Sequence, residues 1–183
     1  MRNPKWHRDE IILALDLYFR LNPGQIHSRN PDVQELSLIL NRLPIHDVRP
    51  DEAKFRNANG VGLKLSNFLA IDPDYAGKGM ESFSQLDKLV FKEFAYDTKR
   101  LRILASRIRD IAADKDLPNK LYLIPEEQDK EIQVQEGTVI YKLHQYRERD
   151  SNIVRKKKDL IWQQENKLLC EACEFDFEYK YGE

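Results

Sequence analysis

The sequence predicts a mainly α fold, a compact helical domain with a small β-hairpin and a long basic helix towards the C-terminal end. Apolar residues recur at helical spacing over most of the first 113 residues. Period-two alternation appears around Glu136-Gly137, and the last helical pattern contains the run Arg155-Lys156-Lys157-Lys158. With 41% apolar and 33% charged residues, the chain has enough apolar material for a core and is not of the disordered class.

Five helices are predicted before residue 114, each from an apolar stripe and from residues that favour its ends. Asn22-Pro23-Gly24 ends the first helix, whereas Asn30 at the cap position and Pro31 in the first turn begin the second. The fifth helix carries arginines on its outer face. The predicted ranges are 8–21, 31–43, about 60–69, 83–96 and 98–113.

The pattern changes after residue 117. Residues 131–146 alternate between apolar and polar types, which predicts the hairpin, and residues 150–169 form the long basic helix. We therefore predict a helical domain over 1–117, an acidic linker with the hairpin over 118–149, and a long basic helix with a cysteine segment over 150–183.

The formal net charge of −1 hides an uneven distribution along the chain. Residues 114–136 carry 3 basic and 7 acidic groups, whereas residues 138–169 carry 8 basic and 4 acidic groups. Local charge, not the total, bears on nucleic-acid binding. The N-terminal segment has no apolar signal region and the chain has no long apolar run, which predicts a cytoplasmic protein without a membrane partner.

The segment FRNANGVGLKLSNF, residues 55–68, is the strongest candidate for a binding site. A helix that begins near its glycine offers free N–H groups to an anion, and nearby lysine and arginine add positive charge. Gly60, Lys64 and Asn67 are predicted to share an exposed stripe beside the buried one. The alternative is a capped helix with solvated basic residues. The predicted DNA contacts are Lys54, Phe55, Arg56, Asn57, Asn59, Gly60, Lys64 and Asn67.

The two cysteines, Cys170 and Cys173, form a single C-x-x-C. This spacing supplies half of a structural zinc site, and the alternatives are an incidental pair of thiols or a redox motif. The four histidines are scattered, and no known catalytic motif is present. The sequence therefore predicts no catalytic residue in this chain.

Three blocks give the chain a resemblance to a family: WHRDEIILALDLYFRL, KFRNANGVGLKLSNFLAIDP, and the run from IYKLHQYRERD to LLCEACEFDF. They resemble the N-terminal region of bacterial HNH restriction endonucleases of the modification-dependent, McrA-like type. The resemblance implies that Cys170 and Cys173 are the first zinc half-site of an HNH domain whose other ligands lie downstream. This chain is then expected to bind DNA without cleaving it and to hold no cofactor. Zinc and a catalytic divalent metal are expected in the full-length enzyme.

The same resemblance implies that the helical domain over 1–117 is a DNA-recognition domain. It is expected to bind modified double-stranded DNA, as sulfur-binding domains bind phosphorothioate linkages. Sulfur is larger and less hydrated than oxygen, so an apolar pocket rimmed with basic and amide groups would prefer it. A reader of methylated cytosine and an α-helical protein-interaction domain are the alternatives. A homodimer is compatible with this function. On this interpretation, Arg56→Ala weakens DNA binding and leaves the fold intact.

Overall fold

The computed structural model describes residues 2–80, 82–116, 121, 137–149 and 151–165. Within these ranges the secondary structure is helical, with seven α-helices and no strand, which confirms the mainly α fold. A short 3₁₀ turn at Pro23–Gln25 follows the first helix. The helices are α1 (Arg8–Tyr18), α2 (Pro31–Arg42), α3 (Ala58–Leu69), α4 (Gln85–Phe94), α5 (Thr98–Ala113), α6 (Thr138–Arg149) and α7 (Ser151–Glu165).

The chain forms two compact units, residues 1–142 and residues 143–183. In the first unit, α1 packs against α2, α3, α4 and α5. A helix surrounded in this way is buried on every side, and all residues from Asp9 to Tyr18 are indeed buried. The core of the N-terminal unit is therefore built around α1, and its charged residues must find partners inside the protein.

Local capping sets the ends of these helices. Asn30 accepts a hydrogen bond from the Asp32 N–H at 2.8 Å, which confirms the predicted start of α2. The α1 cap is His7, whose Nδ1 accepts from the Asp9 N–H at 3.2 Å. Helix α1 ends at Tyr18, three residues before the predicted end at Leu21, because the chain continues as a turn with Leu21 N–H bonded to the carbonyls of Leu17 and Tyr18.

The predicted second arm of the β-hairpin is wrong, because residues 138–149 form helix α6. The buried carboxylate of Asp9 accepts the Thr138 N–H at 3.2 Å and the Val139 N–H at 2.8 Å, and so satisfies donors in the first turn of α6. Gly137 precedes them with φ 90, a conformation that favours glycine. Hydrogen bonds to the Asp9 carboxylate, 129 residues away in the chain, thus stabilise a helix where the local alternation predicts a strand. The first arm, residues 131–136, lies outside the described residues.

The bond from Asp9 also extends the N-terminal unit beyond the predicted boundary at residue 117, since Thr138 and Val139 belong to it. Burial raises the pKa of Asp9, and the nearby His7 and the two backbone N–H groups act against that rise. In the second unit, α7 agrees with the predicted basic helix over 151–165; its predicted residues 166–169 lie outside the described part. None of the described helices is long and apolar enough to cross a membrane.

Candidate nucleic-acid interface

The predicted binding segment, residues 55–68, forms the lead-in to α3 and nearly all of that helix, and the structure separates its predicted contact residues into three groups. Asn57 is the N-cap and accepts the Gly60 N–H at 2.9 Å, so one of the free donors predicted for an anion is already occupied. Lys54 and Asn59 are exposed and Gly60 is half-buried. The remaining predicted contacts are buried, namely Phe55, Arg56, Lys64 and Asn67.

Arg56 is held inside the protein by Glu10, a residue of α1. Its Nε and Nη2 donate to the two carboxylate oxygens of Glu10 at 2.7 and 2.8 Å. Nη1 donates to the carbonyl of Pro4 at 3.1 Å and Nη2 to that of Lys5 at 3.0 Å. The guanidinium also stacks on Trp6, with 4.6 Å between its central carbon and the ring centre. Each nitrogen of the guanidinium group donates a hydrogen bond within the protein, so Arg56 is not available to a phosphate or a base.

Lys64 is likewise occupied. Its Nζ lies 2.8 and 2.9 Å from the two carboxylate oxygens of Asp87, which is fully buried on α4, and 5.0 Å from the ring centre of Trp6. Asn67 accepts a hydrogen bond from the Ser82 hydroxyl at 3.1 Å. The predicted exposed stripe of Gly60, Lys64 and Asn67 is therefore wrong: two of its three members face the protein interior.

Trp6 lies between the two buried cations and ties the N-terminal segment to the fold. The Asn3 side chain adds two bonds to the same segment, donating to the Asp51 carbonyl at 2.9 Å and accepting the Asp51 N–H at 3.1 Å. Arg56 itself has φ 43, a left-handed conformation that is rare for a residue with a side chain. Arg56 and its partners Glu10, Pro4, Lys5 and Trp6 therefore hold the N-terminal segment against the rest of the N-terminal unit, and we call this group the Arg56 clamp.

Glu10 is the carboxylate at the centre of this clamp. Besides Arg56, it accepts the His7 N–H at 2.7 Å, and its Oε2 lies 3.0 Å from Nε2 of His46. Burial acts to raise the pKa of Glu10, but the hydrogen bonds from His46 and Arg56 and the charge of Arg56 outweigh it and hold that pKa below its ordinary value. Glu10 is therefore ionised in the folded protein at neutral pH.

This lowered pKa predicts a pH dependence of stability. In the unfolded chain Glu10 has an ordinary pKa near 4.5, so its stabilising contribution is complete above that value and is lost as pH falls towards the lower folded pKa. The slope contributed by one such group reaches about 1.4 kcal/mol per pH unit at most. Urea unfolding between pH 7 and pH 3 should show a smaller decrease for Glu10→Gln than for the wild type. An identical decrease in both would contradict the assignment.

A basic face lies on the outer side of α5. Four cations on this helix are exposed, and at 100° per residue they span one side of it, with the exposed Asp110 as the acidic residue on the same side. The apolar residues of α5 occupy the opposite side and are buried. This arrangement agrees with the arginines predicted for its outer face. The α5 basic face consists of Lys99, Arg100, Arg102 and Arg107.

Exposed positive charge is also present on the preceding helix, α4. Lys88 and Lys92 are exposed one turn apart on α4, beside the exposed Leu89. Glu93 of α4 is half-buried. It forms ion pairs with Arg8 at 2.9 Å and with Arg100 at 3.4 Å. Glu93 is thus neutralised, Asp97 at the start of α5 is an exposed carboxylate, and most of the cations face solvent.

Other polar features are less coherent. A cavity of about 750 Å³ lies between the ends of α2 and α5 and the 43–52 connector, but its lining mixes both signs of charge, including Arg42, Arg49, Asp47 and Glu52. In the second unit, Arg155, Lys156 and Lys158 are exposed on α7. No group of metal-ligating side chains occurs among the described residues, and Cys170 and Cys173 lie outside them.

No protein-family model matches this chain, and no curated protein or solved structure shows significant similarity to it. The candidate interface therefore rests on the geometry of the described residues.

Proposed function

We propose that this chain is the DNA-binding, modification-sensing part of a restriction endonuclease of the HNH type, and that it contacts the DNA backbone through α5. The observation that carries the proposal is the α5 basic face, with four exposed cations and one exposed carboxylate on the same side. Lysine and arginine supply most of the electrostatic affinity of proteins for duplex DNA by neutralising phosphates.

The dimensions of the face suit this partner. Eight residues separate Lys99 from Arg107, which corresponds to roughly 12 Å along the helix. Duplex DNA carries a negative charge about every 1.7 Å of its axis, so a surface of this length meets several phosphates at once. Arg100 is exposed although it also pairs with Glu93 at 3.4 Å, whereas Arg109 is half-buried, pairs with the buried Asp16 at 2.8 Å and is not part of the face.

The modification that is read is proposed from the family resemblance, with phosphorothioate first and methylated cytosine as the alternative. The sulfur pocket suggested for residues 55–68 loses support, because Arg56, Lys64 and Asn67 are buried in internal contacts and, of the predicted basic and amide contacts, only Lys54 and Asn59 are exposed. A reader of either mark would work in the cytoplasm, where the cellular DNA of a bacterium lies, and two copies on one duplex would suit double-strand cleavage by the parent enzyme.

A binding assay with matched duplexes tests this function. We expect the purified chain to bind 20-base-pair duplexes with an affinity that decreases steeply with salt, to prefer a phosphorothioate or methylated duplex over a plain one, and to leave all of them intact with Mg²⁺ present. Equal affinity for the three duplexes would remove modification sensing. Absence of binding to every duplex at low salt would remove DNA binding and favour a protein partner. Scattering measurements on the complex would show whether one or two copies bind.

A further inference from the structure

Tyr96 is the feature that the fold leaves unexplained. It lies in the turn between α4 and α5 and is 97% exposed. The other tyrosines whose side chains are described, Tyr18, Tyr75, Tyr141 and Tyr146, are all buried or half-buried. Aromatic side chains stabilise a fold by burying their rings, so the position of Tyr96 does nothing for the core.

The backbone on both sides of Tyr96 is fixed. The Ala95 N–H donates to the Phe91 carbonyl at 2.8 Å, and the Asp97 N–H donates to the Phe94 carbonyl at 3.0 Å. The Asp97 carboxylate in turn caps α5 by accepting the Arg100 N–H at 3.1 Å. The ring is thus presented to solvent from a well-defined corner.

Among the described residues, three exposed cations outnumber the one exposed carboxylate, Asp97, around this corner. Lys92 precedes Tyr96 by about one helical turn, and Lys99 and Arg100 follow it in the first turn of α5; all three side chains are exposed. Arg100 also stacks on Phe94 at 5.4 Å and pairs with Glu93 at 3.4 Å, which holds it at the end of α4. An exposed aromatic ring among cations is how proteins bind bases that are out of the duplex stack, with the cations holding the backbone.

We propose that Tyr96 is a base-stacking contact for an unpaired nucleotide, such as an extrahelical base, at the end of the α5 basic face. The inference rests on the proposed DNA binding and adds the class of substrate, DNA with an unstacked base. The positive surroundings favour a nucleic acid over an apolar protein surface, since an apolar partner would have to desolvate three cations. An acidic peptide is the competing occupant.

The test compares a duplex that contains one bulged nucleotide with a fully paired duplex of the same flanking sequence. Tyr96→Ala should weaken binding to the bulged duplex about tenfold, which corresponds to about 1.4 kcal/mol, and should change binding to the paired duplex less than about twofold. Tyr96→Phe keeps the ring and should bind both as the wild type does. Because the side chain is exposed, thermal unfolding of the variants should be unchanged.

A fluorescence readout separates stacking from a general loss of affinity. Tyr96→Trp should show emission that is quenched by the bulged duplex beyond the change seen in the wild type, which contains Trp6 and Trp162. Equal binding of both duplexes by Tyr96→Ala and the wild type would overturn the inference while leaving DNA binding intact. A Tyr96→Phe variant as weak as Tyr96→Ala would overturn stacking in favour of a hydroxyl contact. Binding of poly-glutamate but of neither duplex would overturn both proposals.

Discussion

Replacing Arg56 with alanine should lower the free energy of unfolding by about 3–5 kcal/mol, a large fraction of the stability of an ordinary domain. The change leaves the fully buried carboxylate of Glu10 without its main cationic partner. It removes the hydrogen bond that Arg56 donates to the Pro4 carbonyl and the one that it donates to the Lys5 carbonyl. It also removes the cation that stacks on Trp6. Urea denaturation at pH 7 measures the effect, as a lower midpoint.

The neighbouring Lys54 provides a matched control for this prediction. Its side chain is 79% exposed and pairs with Asp51 at the surface, so Lys54→Ala should change stability by no more than about 0.5 kcal/mol. Arg56→Lys keeps the charge but cannot reproduce the paired bonds to Glu10, and should recover only part of the loss. An Arg56→Ala protein as stable as the wild type would contradict the structural role and would restore Arg56 as a candidate DNA contact.

Removing the α5 basic face should weaken DNA binding by roughly 10²–10³-fold at 50 mM salt, because several phosphate contacts are lost together. The variant replaces Lys99, Arg100, Arg102 and Arg107 with glutamine, which has a similar helix propensity and leaves the buried side of α5 unchanged. Electrophoretic mobility shift with a 20-base-pair duplex measures the affinity, and circular dichroism should show an unchanged helix content.

A control with the same change in net charge shows whether position matters. Arg2, Arg29, Lys54 and Lys78 are exposed cations outside α4 and α5. Their joint replacement by glutamine should weaken binding much less than the α5 variant does. If the two variants bind DNA equally, the interaction follows total charge and α5 is not the interface. Because Lys54 was among the contacts predicted from the sequence, the control also tests that earlier assignment.

Much of the fold of residues 1–113 could be predicted from the sequence, because the apolar stripes and caps that define it are local. Asn30 begins α2 as expected, and the buried side of α5 follows its helical period. Helix α6 could not be predicted in this way, since its start depends on Asp9 at the other end of the N-terminal unit. Local alternation carries no information about such a partner.

The candidate site was predicted less well, for a related reason. Cations are assigned to the surface by default, but Arg56 and Lys64 have buried partners 46 and 23 residues away in the chain. One signal was present in the sequence. Asp9 and Glu10 open a helix that is apolar on nearly every side, so their carboxylates had to be buried and needed donors from elsewhere in the chain. Arg109 of α5 meets such a demand from the buried Asp16, whereas the four cations of the α5 basic face remain exposed.

The salt dependence of DNA binding tests the central claim, that the α5 basic face contacts the backbone, most directly. The logarithm of the binding constant falls with the logarithm of salt concentration, and the steepness of this fall decreases by about 0.9 for each phosphate contact that is lost. With four cations replaced, the α5 variant should show a fall that is less steep than that of the wild type by roughly 2–4. Equal slopes for the α5 variant and the wild type would contradict the claim.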